Sequence, residues 1–357
     1  MKSTEEILSY FEDEQSRFIY QKRVAYNETG DFHDINAIVE RYIPKLHGRP
    51  YYPGMESELP KRLKDKKKIV VFGCGMNGRA MLGTLAAHGS TSVCYADNAE
   101  DKWGTRIGKF EVKPPLEIDF GDVDTVVITP FNEQAAEAIR KQLMGLGAKE
   151  ETLLCCRDFS ATVLDWDLYF DPNIIRLHEE EVFVDAGALN LETSFRFMEE
   201  CKNSHVGDYK IHAFEPDAES YRRCVDMLND MPDANIQMHN AGLWSEDTTL
   251  YFEEMGNAAS RISKEKTGTS IRVTALDRCI SDPVTFIKMD IEGAELEALK
   301  GSREIIQRYR PRLAISAYHK KEDLVELPAY IKELVPEYKL FIRHYSNATI
   351  ETVLYAV

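Results

Sequence analysis

From Lys67 onward the chain is punctuated by short apolar runs that end in polar or glycine-containing turns. Lys68–Phe72, Ser92–Tyr95 and Thr125–Thr129 form one set, and Val182–Val184, Lys210–Phe214, Asn235–Met238, Val284–Met289 and Arg312–Ala317 form a second. Runs this short and this continuously apolar suit strands buried on both faces. The longer amphipathic stretches between them, such as Glu133–Leu146, suit the connecting helices of a parallel sheet. The pattern predicts an α/β protein with two doubly wound, Rossmann-like domains. Leu250–Phe252 and Ile271–Ala275 read as added strand pieces. Lys339–Arg343 and Ile350–Ala356 are separated by too few residues for a crossover, so they are expected to pair antiparallel as a hairpin.

Before Lys67 the pattern is helical. Ile7, Leu8, Phe11, Phe18 and Ile19 recur at three- and four-residue spacings on a charged background, and a second short helix is expected over Asp34–Lys45. Two prolines and two glycines in Gly48–Gly54 then break the pattern. This arm reads as a packing element or as the contact of a homodimer; the other reading is a substrate lid carrying Tyr51 and Tyr52. The organisation expected is a helical arm and linker over 1–66, a small Rossmann-like domain over 67–160, a bridging segment over 161–180 and a second domain over 181–357.

Composition narrows the partners. A chain of 357 residues is more than one core usually absorbs, which agrees with two domains. With 60 acidic against 44 basic residues the net charge is -16, which repels phosphate backbones and argues against general nucleic-acid or anionic-membrane binding. The one strongly basic run, Lys61–Lys68, sits just before a strand and reads as a solvated linker. Seven cysteines, with no Cys-x-x-Cys pair and no zinc-type spacing, fit a reducing compartment. The N-terminus lacks the apolar core of a signal peptide and no run is long enough to span a bilayer, so a soluble, cytoplasmic protein is expected.

The candidate chemistry lies at strand ends, where an open α/β sheet binds its ligand. Asp185, Glu215 and Asp290 each follow an apolar run. A carboxylate one strand beyond the first glycine turn suits a ribose, because its two oxygens can accept from two neighbouring hydroxyls. Glu215 is the residue so placed, although it could instead cap the helix that starts near Pro216 and Asp217. Asp290 and Glu292, two residues apart, can share a face. Together they can hold a divalent metal ion that orients an acceptor hydroxyl, or one of them can act as general base. Glu292 could also simply cap the next helix.

Several stretches together carry a family resemblance. They are Val182–Ser194 with Asp185, Gly187, Ala188 and Thr193; Phe214-Glu215-Pro216; Ile287–Gly293 with Lys288, Asp290 and Glu292; Ser316–Lys320; and Arg343–Ser346. From Glu181 to Val357 the chain resembles the FkbM family of S-adenosylmethionine-dependent methyltransferases. One position departs: Leu191 stands where the family usually carries glycine, and the turn can still form if Asn190 takes the left-handed conformation. The resemblance implies a class I methyltransferase fold ending in an antiparallel hairpin, with S-adenosylmethionine as cofactor. It also implies O-methylation of a sugar, glycan precursor or related small molecule as acceptor. The turn of Asp185, Gly187, Ala188, Asn190 and Thr193 would then meet the methionine part, Glu215 and Pro216 the ribose, and Asn240 and Ala241 the adenine, unless those last two form an ordinary turn. Asp290 would complete the cofactor site. Lys288, Tyr318, His319 and His344 are the candidate proton handlers, His319 first because imidazole titrates near neutrality, with Tyr318 and Lys320 holding the acceptor.

The first Rossmann-like unit has a motif of its own. Gly73, Gly75 and Gly78 fit Gly-x-Gly-x-x-Gly between a strand and a helix, and Asp97 ends the next strand, so these four define a candidate second nucleotide site. The unit resembles sugar-nucleotide-handling Rossmann domains that precede bacterial glycan-modifying enzymes. A rival function follows from it: a nucleotide-sugar-binding oxidoreductase or sensor whose second domain is catalytically silent. A third is a protein that acts only by assembly through its N-terminal helix.

Overall fold

The computed structural model describes residues 2–42, 66–75, 77–79, 81, 85, 93–130, 132–155, 167–254, 260–263, 269–346 and 349–357. The Gly48–Gly54 break, the lid tyrosines Tyr51 and Tyr52 and most of the basic Lys61–Lys68 run lie outside these residues. The chain divides into two compact units, one of residues 21–166 and 344–351, the other of residues 1–20, 167–343 and 352–357.

The smaller unit is built on a six-stranded sheet. Its strands are β1 (Ile69–Phe72), β2 (Val93–Ala96), β3 (Arg106–Ile107), β4 (Phe110–Lys113), β5 (Thr125–Ile128) and β6 (Leu153–Cys155), in the order β3-β4-β2-β1-β5-β6. All neighbours run parallel except the β3–β4 hairpin. Ile-Val-Val-Phe in β1 and Thr-Val-Val-Ile in β5 are wholly buried because helices or loops cover both sheet faces. Side chains alternate between the faces. Ile69, Val71, Tyr95 and Val127 join one apolar cluster, and Val70, Phe72, Ala96, Val126 and Ile128 join the other. The helix Glu133–Gly145 packs beside β5 and starts at Asn132, whose side chain accepts the Ala135 N–H at 2.9 Å.

The larger unit holds a seven-stranded sheet of β7 (Glu180–Ala186), β8 (Asp208–Phe214), β9 (Ile236–His239), β14 (Phe286–Met289), β15 (Arg312–Ser316), β16 (Leu340–His344) and β17 (Thr352–Ala356). Between β9 and β14 the chain forms an inserted sheet of β10 (Gly242–Leu243), β11 (Thr248–Glu254), β12 (Ser260–Ser263) and β13 (Thr269–Thr274), ordered β10-β13-β11-β12. The main order is β16-β17-β15-β14-β7-β8-β9. β7, β8, β9, β14 and β15 are parallel, and β17 runs antiparallel to β15. Lys339 and Val357 exchange backbone hydrogen bonds of 2.8 and 3.1 Å, the reciprocal pair of an antiparallel ladder, so the closing hairpin forms as its short connection requires.

From β7 the chain moves outward through β8 and β9, then returns to place β14 on the opposite side of β7. The order therefore reverses between β7 and β14, and the crevice outside their carboxyl ends is where such a sheet takes a ligand. Beneath it Phe183 and Phe197 stack at 4.3 Å between ring centroids, with Phe170 and Phe286 against them, giving the strand ends a rigid base.

Residues 1–20 belong to this larger unit. The short helix Thr4–Leu8 is capped by Ser3 and buries Ile7 completely. Phe11 then bridges to Leu340, and Asp13 pairs with Arg343 at 2.6 Å. This segment lies along β16, the edge of the sheet, and covers backbone groups that would otherwise be open to another strand. Among the described residues no helix is long and apolar enough to cross a membrane.

Candidate active site

The loop after β7 is built from left-handed residues. Gly187 has φ +81°, and Leu189 and Leu191 follow at +46° and +64°. A side chain at Gly187 would collide with the Asp290 carbonyl oxygen at the end of β14, so glycine is required by the close approach of two backbones. The protein's own chain imposes this requirement, whatever the turn contacts besides. The expected left-handed Asn190 is corrected. Asn190 is exposed and its Oδ1 accepts the Glu192 N–H at 3.1 Å, while Leu191 itself adopts the left-handed shape that a glycine would take without strain. Leu191 begins the helix Glu192–Asn203 and is fully enclosed by protein, whereas Leu189 is 62% exposed on the turn. Thr193 lies half-buried in the first turn of the helix.

Two of the expected ligand-facing residues are internal. Asp185 is completely buried; its Oδ2 accepts from the Ser194 hydroxyl at 2.7 Å and its Oδ1 meets Lys288 Nζ at 3.0 Å. Lys288 also donates to the Ala186 and Gly187 carbonyls at 3.2 and 2.9 Å, so its three protons are all used. Parallel pairing sets Asp185 directly opposite Lys288. Lys288 is therefore corrected from proton handler to the post that supports the turn, and Asp185 is its counter-charge.

Glu215 faces the same turn from β8. Its Oε2 accepts the Leu189 N–H at 2.9 Å and its Oε1 the Asp217 N–H at 2.8 Å. Each oxygen keeps a lone pair for a further donor. Burial raises the Glu215 carboxyl above its ordinary value, against the pull of those two N–H groups. The helix Ala218–Asn229 is capped by Asp217, not by Glu215. Pro216 precedes that cap. Asn240 donates to the Glu215 carbonyl at 3.0 Å, Ala241 is buried beside it, and Ala188 is buried with its N–H on the Phe214 carbonyl at 3.0 Å.

Asp290 closes the other side. Its Oδ2 accepts from the Tyr169 hydroxyl at 2.8 Å and its Oδ1 from the Tyr318 hydroxyl at 3.2 Å, with His319 Nε2 at 3.4 Å. His319 Nδ1 lies 2.9 Å from Oε1 of Glu295, which is fully buried in the first turn of the helix Glu295–Lys300. Burial alone would lower the His319 pKa, but Glu295, then Asp290 and Glu292, outweigh it and hold the ring above its ordinary value. Asp323, also buried, is pushed up to about 7 by burial and by Glu295.

Glu292, expected to share the cleft with Asp290, has φ +55° and a side chain 93% exposed, with Oε2 3.7 Å from His319 Nε2. The carboxylate grouped with Asp290 and His319 is Glu295, because the left-handed turn at Glu292 and Gly293 swings residue 292 outward and brings residue 295 underneath. Glu292 does not cap that helix either, since Ala294 precedes it. Lys320 Nζ is held by the Gly293 carbonyl. His344, buried in β16, belongs to the other compact unit. Tyr169 and Glu295 had not been expected; Tyr169 lies 121 positions from its partner Asp290, and its own φ of +69° marks it only once the backbone is known.

In the smaller unit, side chains added at Gly73 or Gly78 would strike Thr129 or the Gly73 carbonyl, while Gly75 is exposed and open. Asp97 is 7% exposed and already committed: it accepts from the Cys74 N–H at 2.6 Å, the Ala99 N–H at 2.9 Å and Lys102 Nζ at 2.9 Å. Burial works against its charge, but Lys102 and the two N–H groups hold its carboxyl below the ordinary range. Asp97, named above as part of the candidate second nucleotide site, thereby fastens the glycine loop.

Residues 185–340 match the family described as methyltransferase FkbM domain, and the crevice between β7 and β14 is formed within the matched residues. Residues 65–154 match the family described as C2185-like, N-terminal; for the smaller unit this is the family found, in place of a sugar-nucleotide-handling domain. The chain is similar to a solved structure of methyltransferase FkbM from Methylobacillus flagellatus KT, at 20% identity, covering 94% of this chain and 100% of that one, with a TM-score of 0.48. An rRNA methylase from Streptococcus thermophilus follows at 17% identity, covering 50% and 87%, TM-score 0.33. A methyltransferase from Streptococcus mutans in complex with SAH shares 14% identity, covering 52% and 92%, TM-score 0.32. No curated protein matches the chain.

Proposed function

We propose that the larger unit is an S-adenosylmethionine-dependent O-methyltransferase acting on a hydroxyl of a saccharide, glycan precursor or related small molecule. The observation that carries this reading is that one turn touches both neighbouring strand ends. Gly187 is packed on the Asp290 carbonyl, and Leu189 is bonded to the Glu215 carboxylate. Three strand ends thus meet at the switch point of the sheet.

The residues present fit a sulfonium nucleoside. Glu215 keeps two free lone-pair positions for the ribose hydroxyls, Asn240 and Ala241 stand where a base would lie, and exposed Leu189 offers an apolar cover. When bound, S-adenosylmethionine supplies the methyl group on a positively charged sulfur. The chain's own work is to position and to receive a proton. Tyr169 and Tyr318 fix Asp290 to receive the acceptor's hydroxyl proton, with His319 held beside it by Glu295. Asp185 and Lys288 keep the turn in place from below.

The test is transfer of a labelled methyl group from the cofactor to a panel of hydroxylated saccharides. The reading expects label that survives alkaline treatment, as a methyl ether does. Label found only in base-labile esters, or only in amines, would overturn it.

A further inference from the structure

We propose that Asp290, Glu295 and His319 form a binding site for a divalent cation at the carboxyl end of β14. A potential ligand atom from each lies within 4.8 Å of one from each of the others. The separation of His319 Nε2 from Asp290 Oδ1, 3.4 Å, is close to that of two ligands each about 2.1 Å from one tetrahedral ion.

An orphaned atom points the same way. Glu295 is fully buried, its Oε1 takes the Ile291 N–H at 3.0 Å, and its Oε2 has no hydrogen-bond partner among the described residues. The two ring nitrogens of His319 point apart, so an ion held by Nε2 leaves Nδ1 facing Glu295 Oε1 at 2.9 Å. The Glu295 Oε2 atom, enclosed without a partner, gains its missing bond from a cation. Asp290 is already oriented by the hydroxyls of Tyr169 and Tyr318, the kind of outer support that a ligating carboxylate receives. Exposed Glu292, 3.7 Å from His319 Nε2, adds negative charge on the solvent side. The nearby Lys320 ammonium is engaged with the Gly293 carbonyl.

Two carboxylates and one imidazole suit a borderline or hard divalent ion such as Mn²⁺ or Zn²⁺. Such an ion would lower the pKa of an acceptor hydroxyl bound to it. That use rests on the methyltransferase reading, whereas cation binding does not, so the test needs neither cofactor nor acceptor. The full chain is freed of metal with a chelator and titrated with Mn²⁺ by calorimetry and electron paramagnetic resonance. One equivalent is expected to bind, at least tenfold more weakly in Glu295→Gln and in His319→Gln, and nearly unchanged in Glu292→Gln. Should Glu295→Gln fail to fold, His319→Gln decides. No binding by the wild-type chain, or equal binding by the folded variants, overturns the proposal even if methyl transfer is established.

Discussion

Lys288 Nζ and Asp185 Oδ1 meet at 3.0 Å between adjacent parallel strands, with their side chains 3% and 0% exposed. Breaking one partner strands the other charge in the interior. Lys288→Met is therefore expected to destabilise the larger unit by about 3–5 kcal/mol, read from chemical denaturation. A loss below about 1 kcal/mol would show that the pair does not support the turn.

Gly187 is the second structural hinge of the site. Gly187→Ala places a methyl group on the Asp290 carbonyl and forces alanine into a left-handed conformation, so stability should fall by at least about 1–2 kcal/mol. Gly75→Ala, where nothing lies within 4 Å, serves as the tolerated comparison, expected within about 0.5 kcal/mol of wild type. Equal melting temperatures for the two variants would contradict the packing account.

Leu191→Gly asks whether the departure from the family pattern is strain or packing. Glycine would relieve about 1–2 kcal/mol of left-handed strain but empty a fully enclosed leucine site worth about 2–5 kcal/mol. Net destabilisation is expected in thermal denaturation. A rise in melting temperature would mean that Leu191 is held against its interest.

The strands and their order of appearance were legible because buried parallel strands must be continuously apolar and their connections must be long. The strand-end carboxylates were legible as residues, but their directions were not. Asp185 and Lys288 turn into the sheet, Asp97 turns back on its own loop, and Glu292 turns outward, all through backbone angles that no spacing rule reports. Glu295 was hidden because a glutamate in the first turn of a helix usually answers the helix dipole in solvent. Tyr169 was hidden because only the folded chain brings it to Asp290.

Away from the site, two neighbouring histidines set a pH dependence. His212 and His239 lie 3.0 Å apart between ring nitrogens, and His212 also meets Asp282 at 3.0 Å. Burial, followed by nearby positive charge, lowers the pKa of both, that of His239 to about 4. Below the ordinary histidine value of about 6.5 the unfolded chain then binds more protons than the folded one. The two histidines therefore contribute a loss of stability as the pH drops from about 6.5 toward 4, while Asp323, held up at about 7, contributes a gain over the same range. Urea midpoints of wild type and His239→Gln measured across that range check this: the midpoint of the wild type relative to the variant should fall as the pH drops from about 6.5 toward 4. A difference that stays constant would exclude the effect.

Calorimetric titration with S-adenosylmethionine tests most directly whether the meeting of Gly187, Glu215 and Asp290 makes a cofactor site. Wild-type protein should bind one equivalent, and Glu215→Ala, confirmed folded by circular dichroism, should bind at least about tenfold more weakly, the loss of one or two hydrogen bonds to a charged acceptor. No binding by the wild type, or the same affinity in both, would contradict the assignment.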